Sequence, residues 1–375
     1  MEGTVQEEFE LMKYKTSQKV FMNKEVSLPD GSSFPVLTFA AWEDLPGQRH
    51  CFTTRAGGVS EDYLASLNFR RDPPDLIETE ENLLENYRRA AGFFDVAPDR
   101  IVCAQQTHTA NVRIVTEADA GKGVTRERDY TDVDGIITDI PGLVLFTSHA
   151  DCTPLYFYDP VRRVIALAHS GWKGTVARIG AVTIRRMPAV FGCRPQDIYA
   201  AIGPSICVDC YEVSEDVAEA FRECFGSSSV NGFVNGSVNG SVNGSVSALG
   251  NPSGSSAEKV FSGPEAVKTG DPAGGEPCRK LTEDAADEAE MDIGKGREAG
   301  NSSGTIPRIL SRGRAPGKYQ LDLWEANARI LREAGITPDH LTVTNLCTCC
   351  NSGELFSHRA TGGKRGNQGA FLMME

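Results

Sequence analysis

The sequence predicts an α+β (complex α/β) fold, a single body of mixed β-sheets flanked by helices and interrupted by one disordered insertion. Three observations predict it. Short apolar runs bounded by Pro, Gly and Asp recur along the chain and read as buried strands. A few longer segments carry apolar residues at helical spacing among charges. Strands and helices are mixed without strict alternation, which sets the class. The 375 residues could hold two or three ordinary domains or one larger one.

The elements read as follows, in chain order. Lys19 to Met22 and Phe34 to Phe39 are short strands broken by Pro29, Asp30 and Gly31, and they place residues 1–48 in the same body. Arg49 to Thr54 is a strand ending in the turn Arg55-Ala56-Gly57-Gly58. Between Glu78 and Ala91, Leu83, Leu84, Tyr87 and Ala91 recur at helical spacing, with Gly92 as the stop. Arg100 to Gln105 and Asn111 to Thr116 are strands on either side of Thr107-His108. Gly142 to Ser148, Leu155 to Tyr158 and Val164 to Ala168 are buried strands. A helix is expected from Thr175 to Phe191, with Val176, Ile179, Ile184 and Met187 facing inward and Pro188 disturbing its last turn. Ile198 to Ile202 is a strand, and Ser214 is placed to N-cap a helix burying Val217, Phe221 and Phe225. Leu321 to Ala334 is a helix stopped by Gly335, and Leu341 to Leu346 a final strand.

Fifteen of the 38 glycines fall between Gly226 and Gly304, where VNGF-VNGS-VNGS-VNGS runs from Val230 to Ser245. A packed solenoid layer needs about 20 residues per repeat, and four cannot build one. The composition is that of a disordered insertion, assigned to 226–312. This divides the main body into 49–225 and 313–375. The 226–304 stretch holds 11 acidic and 6 basic residues of the chain's 51 and 38, so without it the net charge falls from −13 to −8.

An acidic chain with no basic stripe argues against a dedicated nucleic-acid binder. No apolar window reaches the length of a membrane span, about 20 residues. The N-terminus has no apolar signal-like region, and eleven cysteines without one favour reduced thiols or metal ligands, so the expected compartment is the cytoplasm. Oligomeric state is not legible.

Three metal-ligand residue types stand at the ends of expected strands. They are His108 in Gln106-Thr107-His108, Cys152 in Ala150-Asp151-Cys152, and His169 in His169-Ser170-Gly171-Trp172-Lys173-Gly174. A His/Cys/His set suits zinc and by ligand softness admits copper. Three protein ligands leave a fourth position for water, as catalysis requires. Single His and Cys residues are also common in cores. A second set, Cys207-Val-Asp-Cys210 with Cys347-Thr-Cys349-Cys350, leaves open a closed structural metal site.

These motifs occur in order with Thr54-Arg-Ala-Gly-Gly58, Asp134-Gly-Ile-Ile-Thr138, Ile202-Gly-Pro-Ser-Ile206, Tyr211-Glu-Val213 and Phe356-Ser-His-Arg359. Together they resemble the YfiH-like family, also called the multicopper polyphenol oxidase or laccase-domain family and now described as purine nucleoside phosphorylases. The resemblance runs from Arg49 to the C-terminus outside the insertion, although His358 stands where relatives usually carry Tyr or another aromatic. It implies that His108, Cys152 and His169 bind the metal. It further implies phosphorolysis of adenosine, inosine and methylthioadenosine to base and ribose 1-phosphate, and deamination of adenosine.

For that chemistry Arg55, in its glycine turn, is a phosphate candidate, with Arg359 second. Asn68 is a candidate substrate contact, and Asp151 a proton-transfer group or the hydrogen-bonding partner of a histidine. Arg55 as a backbone-capping arginine and Asn68 as a turn residue are the competing readings. His149 is read as a neighbour of the metal, not a ligand. A rival function makes Cys152 a nucleophile and His169 its base in a metal-free hydrolase acting on a cell-wall precursor amide. A multicopper phenol oxidase needs more histidines than the six present.

Overall fold

The structure, a computed structural model, describes residues 12–28, 31, 33–71, 78–226 and 308–375. The disorder expected of the insertion therefore falls almost entirely outside the described residues. What returns at 308 does so inside the body: Ile309 and Leu310 are buried, and Leu310–Arg312 is a strand, so the body resumes before residue 313.

Two six-stranded sheets lie face to face. The first runs in the order β1 (Phe21–Ser27), β2 (Ser33–Phe39), β3 (Gln48–Thr53), β15 (Gln368–Met374), β7 (Val144–His149) and β4 (Ile101–Cys103). The second runs β14 (Leu341–Val343), β10 (Tyr199–Ile202), β8 (Thr153–Asp159), β9 (Val164–Ser170), β6 (Gly135–Thr138) and β5 (Val112–Ile114). A small third sheet orders β11 (Glu212–Ser214), β13 (Lys318–Leu321) and β12 (Leu310–Arg312).

The continuous apolar runs follow from burial on both faces. Leu37, Phe52, Leu145 and Leu372 of the first sheet meet Tyr156, Ile165 and Leu167 of the second in one core. The alternate residues Val144, Phe146, Phe371 and Met373 point the other way, onto α1 (Glu80–Gly92), which contributes Tyr87, Ala90 and Ala91. Thr79 caps α1 by accepting from the Asn82 N–H at 3.0 Å. Leu84, counted with the apolar residues at helical spacing, is exposed, because the buried stripe runs through Leu83, Tyr87, Ala90 and Ala91. On the far side, Ile184 and Met187 of α3 (Ile179–Phe191) and Leu331 of α5 (Leu323–Glu333) cover Leu155, Phe157 and Ala166. The result is helix, sheet, sheet, helix in four layers.

Two expected helices differ in detail. The one expected from Thr175 is broken into α2 (Trp172–Val176) and α3, because Arg178 turns left-handed at φ 56° and its guanidinium pairs with Glu333 of α5 at 2.5 Å. Pro188 lies within α3 without ending it, and Gly192, at φ 68°, terminates it. Ser214 occupies the N-cap position of α4 (Glu215–Phe225), but its side chain makes no capping bond. Among the described residues, no helix is long and apolar enough to cross a membrane.

The strand β15 was not foreseen, yet it lies between β3 and β7, with Phe371 opposite both Cys51 and Phe146. The Phe371 ring is fully buried against Phe69, Phe94 and Phe146. Phe371→Ala is expected to cost about 3–5 kcal/mol in stability, read from the urea unfolding midpoint. A change below about 1 kcal/mol would show that this strand is peripheral.

Candidate active site

The chain passes from the first sheet to the second through the three-residue turn Ala150-Asp151-Cys152, between β7 and β8. The turn is made possible by Asp151 at φ 84°, a left-handed conformation that Asp tolerates better than most residues. His108, in the loop after β4, is likewise left-handed at φ 67°. His169 lies near the end of β9, paired with Pro154 of β8. These three places converge: the ligand atoms of His108, Cys152 and His169 lie within 4.8 Å of one another, with Cys152 Sγ 3.8 Å from His108 Nε2. Gly171 permits the approach, since a Cβ there would stand 2.8 Å from the His108 ring and 3.0 Å from Cys152 Sγ.

One buried carboxylate organises the group. Asp134 Oδ1 accepts from His169 Nδ1 at 2.8 Å and from the His108 N–H at 3.0 Å. Its Oδ2 accepts from the Thr107 N–H at 3.0 Å, the Thr109 N–H at 2.9 Å and the Thr109 hydroxyl at 3.0 Å. Burial alone would raise the Asp134 carboxyl, but the His169 bond and these N–H donors hold it at about 2. With Nδ1 thus engaged, His169 offers Nε2 to a ligand. Burial would also raise the Cys152 thiol, but His169 and His108 beside it bring it down to about 6. The donor set, two imidazole nitrogens and a readily ionised thiol, fits a zinc ion with an open fourth position. In the sequence Asp134 stands out only as part of the motif Asp134-Gly-Ile-Ile-Thr138; its role needed the fold.

The other expected residues divide. His149 is engaged on both ring nitrogens, by Thr147 Oγ1 at 2.8 Å and the Cys152 carbonyl at 3.0 Å, so it supports the turn and lies outside the ligand group. The histidine's carboxylate partner is Asp134, which corrects that part of the reading of Asp151. Asp151 instead accepts from Thr348 Oγ1 at 2.6 Å and from the Arg359 N–H at 2.7 Å, tying the turn to the C-terminal segment.

Asn68 is wholly buried and saturated. Its amide donates to Glu78 Oε2 and the Arg70 carbonyl, and its carbonyl accepts from the Arg70 and Asn367 N–H groups. No atom is left for substrate, so the turn reading replaces the binding one. Arg55 donates to the carbonyls of Ala65 and Ser352 and stacks over Phe356 at 4.9 Å, which is the backbone-capping arrangement.

Arg359 also donates to backbone carbonyls, those of Cys210 and Glu212 at 3.4 and 2.9 Å, but unlike Arg55 it is exposed, stacked on Tyr211 at 5.3 Å. Arg365, not anticipated, lies in the same C-terminal segment, its guanidinium bonded to Asn367 Oδ1. Its Nε is buried without a partner, and burial and the Arg70 charge lower it to about 10 against the pull of Asp151 and Cys152. The sequence signal was available in Gly362-Gly363-Lys364-Arg365-Gly366, where an arginine stands among glycines as Arg55 stands beside Gly57-Gly58. A cavity of about 330 Å³, lined in part by Arg70, Arg71, Gln106, Thr107 and Arg128, adjoins the loop that carries His108.

If Asp134 sets the geometry of His108 and His169, Asp134→Asn should weaken zinc binding about 10- to 100-fold in chelator competition while the fold is kept. Unchanged affinity would remove Asp134 from the account.

Residues 49–248 and 286–375 match the family described as multi-copper polyphenol oxidoreductase laccase. The purine nucleoside phosphorylase YlmD of Bacillus subtilis is 30% identical over 328 residues, covering 86% of this chain and 87% of that protein. The adenosine deaminase RL5, from an unknown prokaryotic organism, is 36% identical over 126 residues, 33% of this chain and 48% of that protein. The crystal structure of YlmD from Geobacillus stearothermophilus superposes with a TM-score of 0.66 at 26% identity, covering 96% of this chain and all of that one. By sequence and by fold, this chain belongs to the YfiH-like, or multi-copper polyphenol oxidoreductase laccase, family.

Proposed function

We propose that this chain is a zinc-dependent purine nucleoside phosphorylase that also deaminates adenosine. The observation that carries the reading is the convergence of His108, Cys152 and His169 on one point, with Asp134 orienting His169. The names of the YlmD and RL5 relatives supply the substrate class. In this reading His108 Nε2, Cys152 Sγ and His169 Nε2 hold the ion. When bound, zinc supplies Lewis acidity and a water of lowered pKa at the open position.

The chain's own residues do the rest. Asp134 keeps the proton of His169 on Nδ1, so the opposite nitrogen stays a ligand. Asp151, held by Thr348 and the Arg359 main chain, fixes the Cys152 turn and is a positioning residue. Arg365 and Arg359 are assigned to the phosphate dianion, whose oxygen attacks ribose C1′ as the bond to the purine breaks. The bond electrons leave with the base, which takes up a proton, giving free base and ribose 1-phosphate. In deamination, water adds at the purine C6 and ammonia departs.

One observation favours a second reading. Cys152, His169 and Asp134 also stand in the order nucleophile, base and orienting acid of a cysteine hydrolase. A single set of incubations separates the two. With adenosine, the wild type should release adenine only when phosphate is present, should form inosine by deamination, and should yield hypoxanthine from that inosine only with phosphate. Cys152→Ala and chelated wild-type protein should do none of these. No adenine, inosine or hypoxanthine from the wild type would overturn the proposal. Activity that survives chelation but is lost on alkylation of Cys152 would favour the hydrolase.

A further inference from the structure

Away from the His108–Cys152–His169 group, four more cysteines meet. The Sγ atoms of Cys207, Cys210, Cys347 and Cys350 all lie within 4.8 Å of one another, and Cys210 Sγ is 3.5 Å from Cys350 Sγ. All four are free thiols, and 3.5 Å is far beyond the roughly 2.05 Å of a disulfide. A tetrahedral tetrathiolate zinc, with Zn–S near 2.3 Å, sets its sulfurs about 3.8 Å apart. The observed cluster is of that size.

The backbone explains why the thiols converge. The strands β10 and β14 are parallel neighbours, and their pairing continues past their ends in the Ser205–Cys347 bridge. Each strand then enters a tight cysteine turn. In the first, the Cys210 and Tyr211 N–H groups donate to the Cys207 carbonyl at 3.1 and 3.0 Å. In the second, the Asn351 N–H donates to the Thr348 carbonyl at 3.3 Å. Main-chain N–H groups point at sulfur: those of Cys207 and Cys350 donate to Cys347 Sγ at 3.2 and 3.4 Å. The Lys15 ammonium also stands beside the Cys207 and Cys350 sulfurs. Lys15 is itself held by Asp209 at 3.0 Å, inside the first cysteine turn. Cys207 and Cys347 are buried, and Cys210 and Cys350 are half-buried.

We infer that Cys207, Cys210, Cys347 and Cys350 form a second metal site, a closed tetrathiolate that takes Zn²⁺. Four thiolates complete the preferred coordination of the ion and leave no position for water, so the site is structural. Cys349 lies outside the group of four. The site clips together the loops after β10 and β14. Those loops also grip the active-site turn, since the Ile206 N–H donates to the Asp151 carbonyl at 3.0 Å and Thr348 donates to the Asp151 side chain. The closed site therefore positions the turn that carries Cys152.

The test is the zinc content of the full-length protein, purified with reductant and without chelator. The wild type should hold two equivalents. A His108→Ala/Cys152→Ala/His169→Ala variant should keep one, and Cys207→Ser/Cys350→Ser should also keep one. Should the latter variant fail to fold, cobalt substitution of the former must show the strong sulfur-to-cobalt charge-transfer bands of a tetrathiolate. One equivalent in the wild type that vanishes with Cys152→Ala overturns this inference, as does a disulfide among the four cysteines found by mass spectrometry. One equivalent that survives Cys152→Ala but not Cys207→Ser/Cys350→Ser upholds it and counts against the catalytic site instead, so the two readings fail separately.

Discussion

The buried carboxylate of Asp134 is the constraint on which the active site depends. It sits at the start of β6, fully enclosed, and holds two segments that are far apart in sequence. On one side the backbone of Thr107, His108 and Thr109 wraps around it; on the other lies the imidazole of His169. An ionised carboxylate in a core is costly unless its oxygens are satisfied, and here five donors within 3.0 Å satisfy them. The same donors that make its burial tolerable aim His108 and His169 at a common point. Without them the left-handed loop at His108 would lose the contacts that hold it in place.

The fold brings in the third residue of the proposed ligand set, Cys152, through its topology. A chain that leaves one sheet and enters the facing one must turn sharply, and the Asp151 conformation makes that turn within three residues. Cys152 is thereby set at the junction of the two sheets, on rigid strands and beside loops. His149 braces the turn from beneath, and Asp151 ties it to the C-terminal segment. The C-terminal strand β15 stitches the first sheet together and follows directly from the segment carrying Arg359 and Arg365. The proposed phosphate-binding arginines and the core-building strand thus share the same stretch of chain.

Much of this was legible in the sequence, for physical reasons. Strands buried on both faces leave continuous apolar runs, so Val144–His149 and Val164–Ser170 could be read directly. Ligand types beside sharp turns marked His108, Cys152 and His169. What escaped depended on long-range partners. The break at Arg178 reflects an ion pair with a helix some 150 residues later, which local periodicity cannot register. Arg55, in its glycine turn, and Asn68, a polar residue in a loop, looked like binding residues because such side chains suit both ligands and backbone groups. Only the partners decide between them. Asp134 was in view only as the first residue of the Asp134-Gly-Ile-Ile-Thr138 motif, because nothing local shows which distant donors its carboxylate holds.

The central claim is that three residues, oriented by Asp134, form an open metal centre. Anomalous scattering at the zinc edge, from crystals of the active protein, tests it most directly. The account predicts a peak bonded to His108 Nε2, Cys152 Sγ and His169 Nε2, with a non-protein ligand in the fourth position. Crystals of protein that turns over nucleoside yet shows no peak there, or a peak closed off by a fourth side chain, would contradict it.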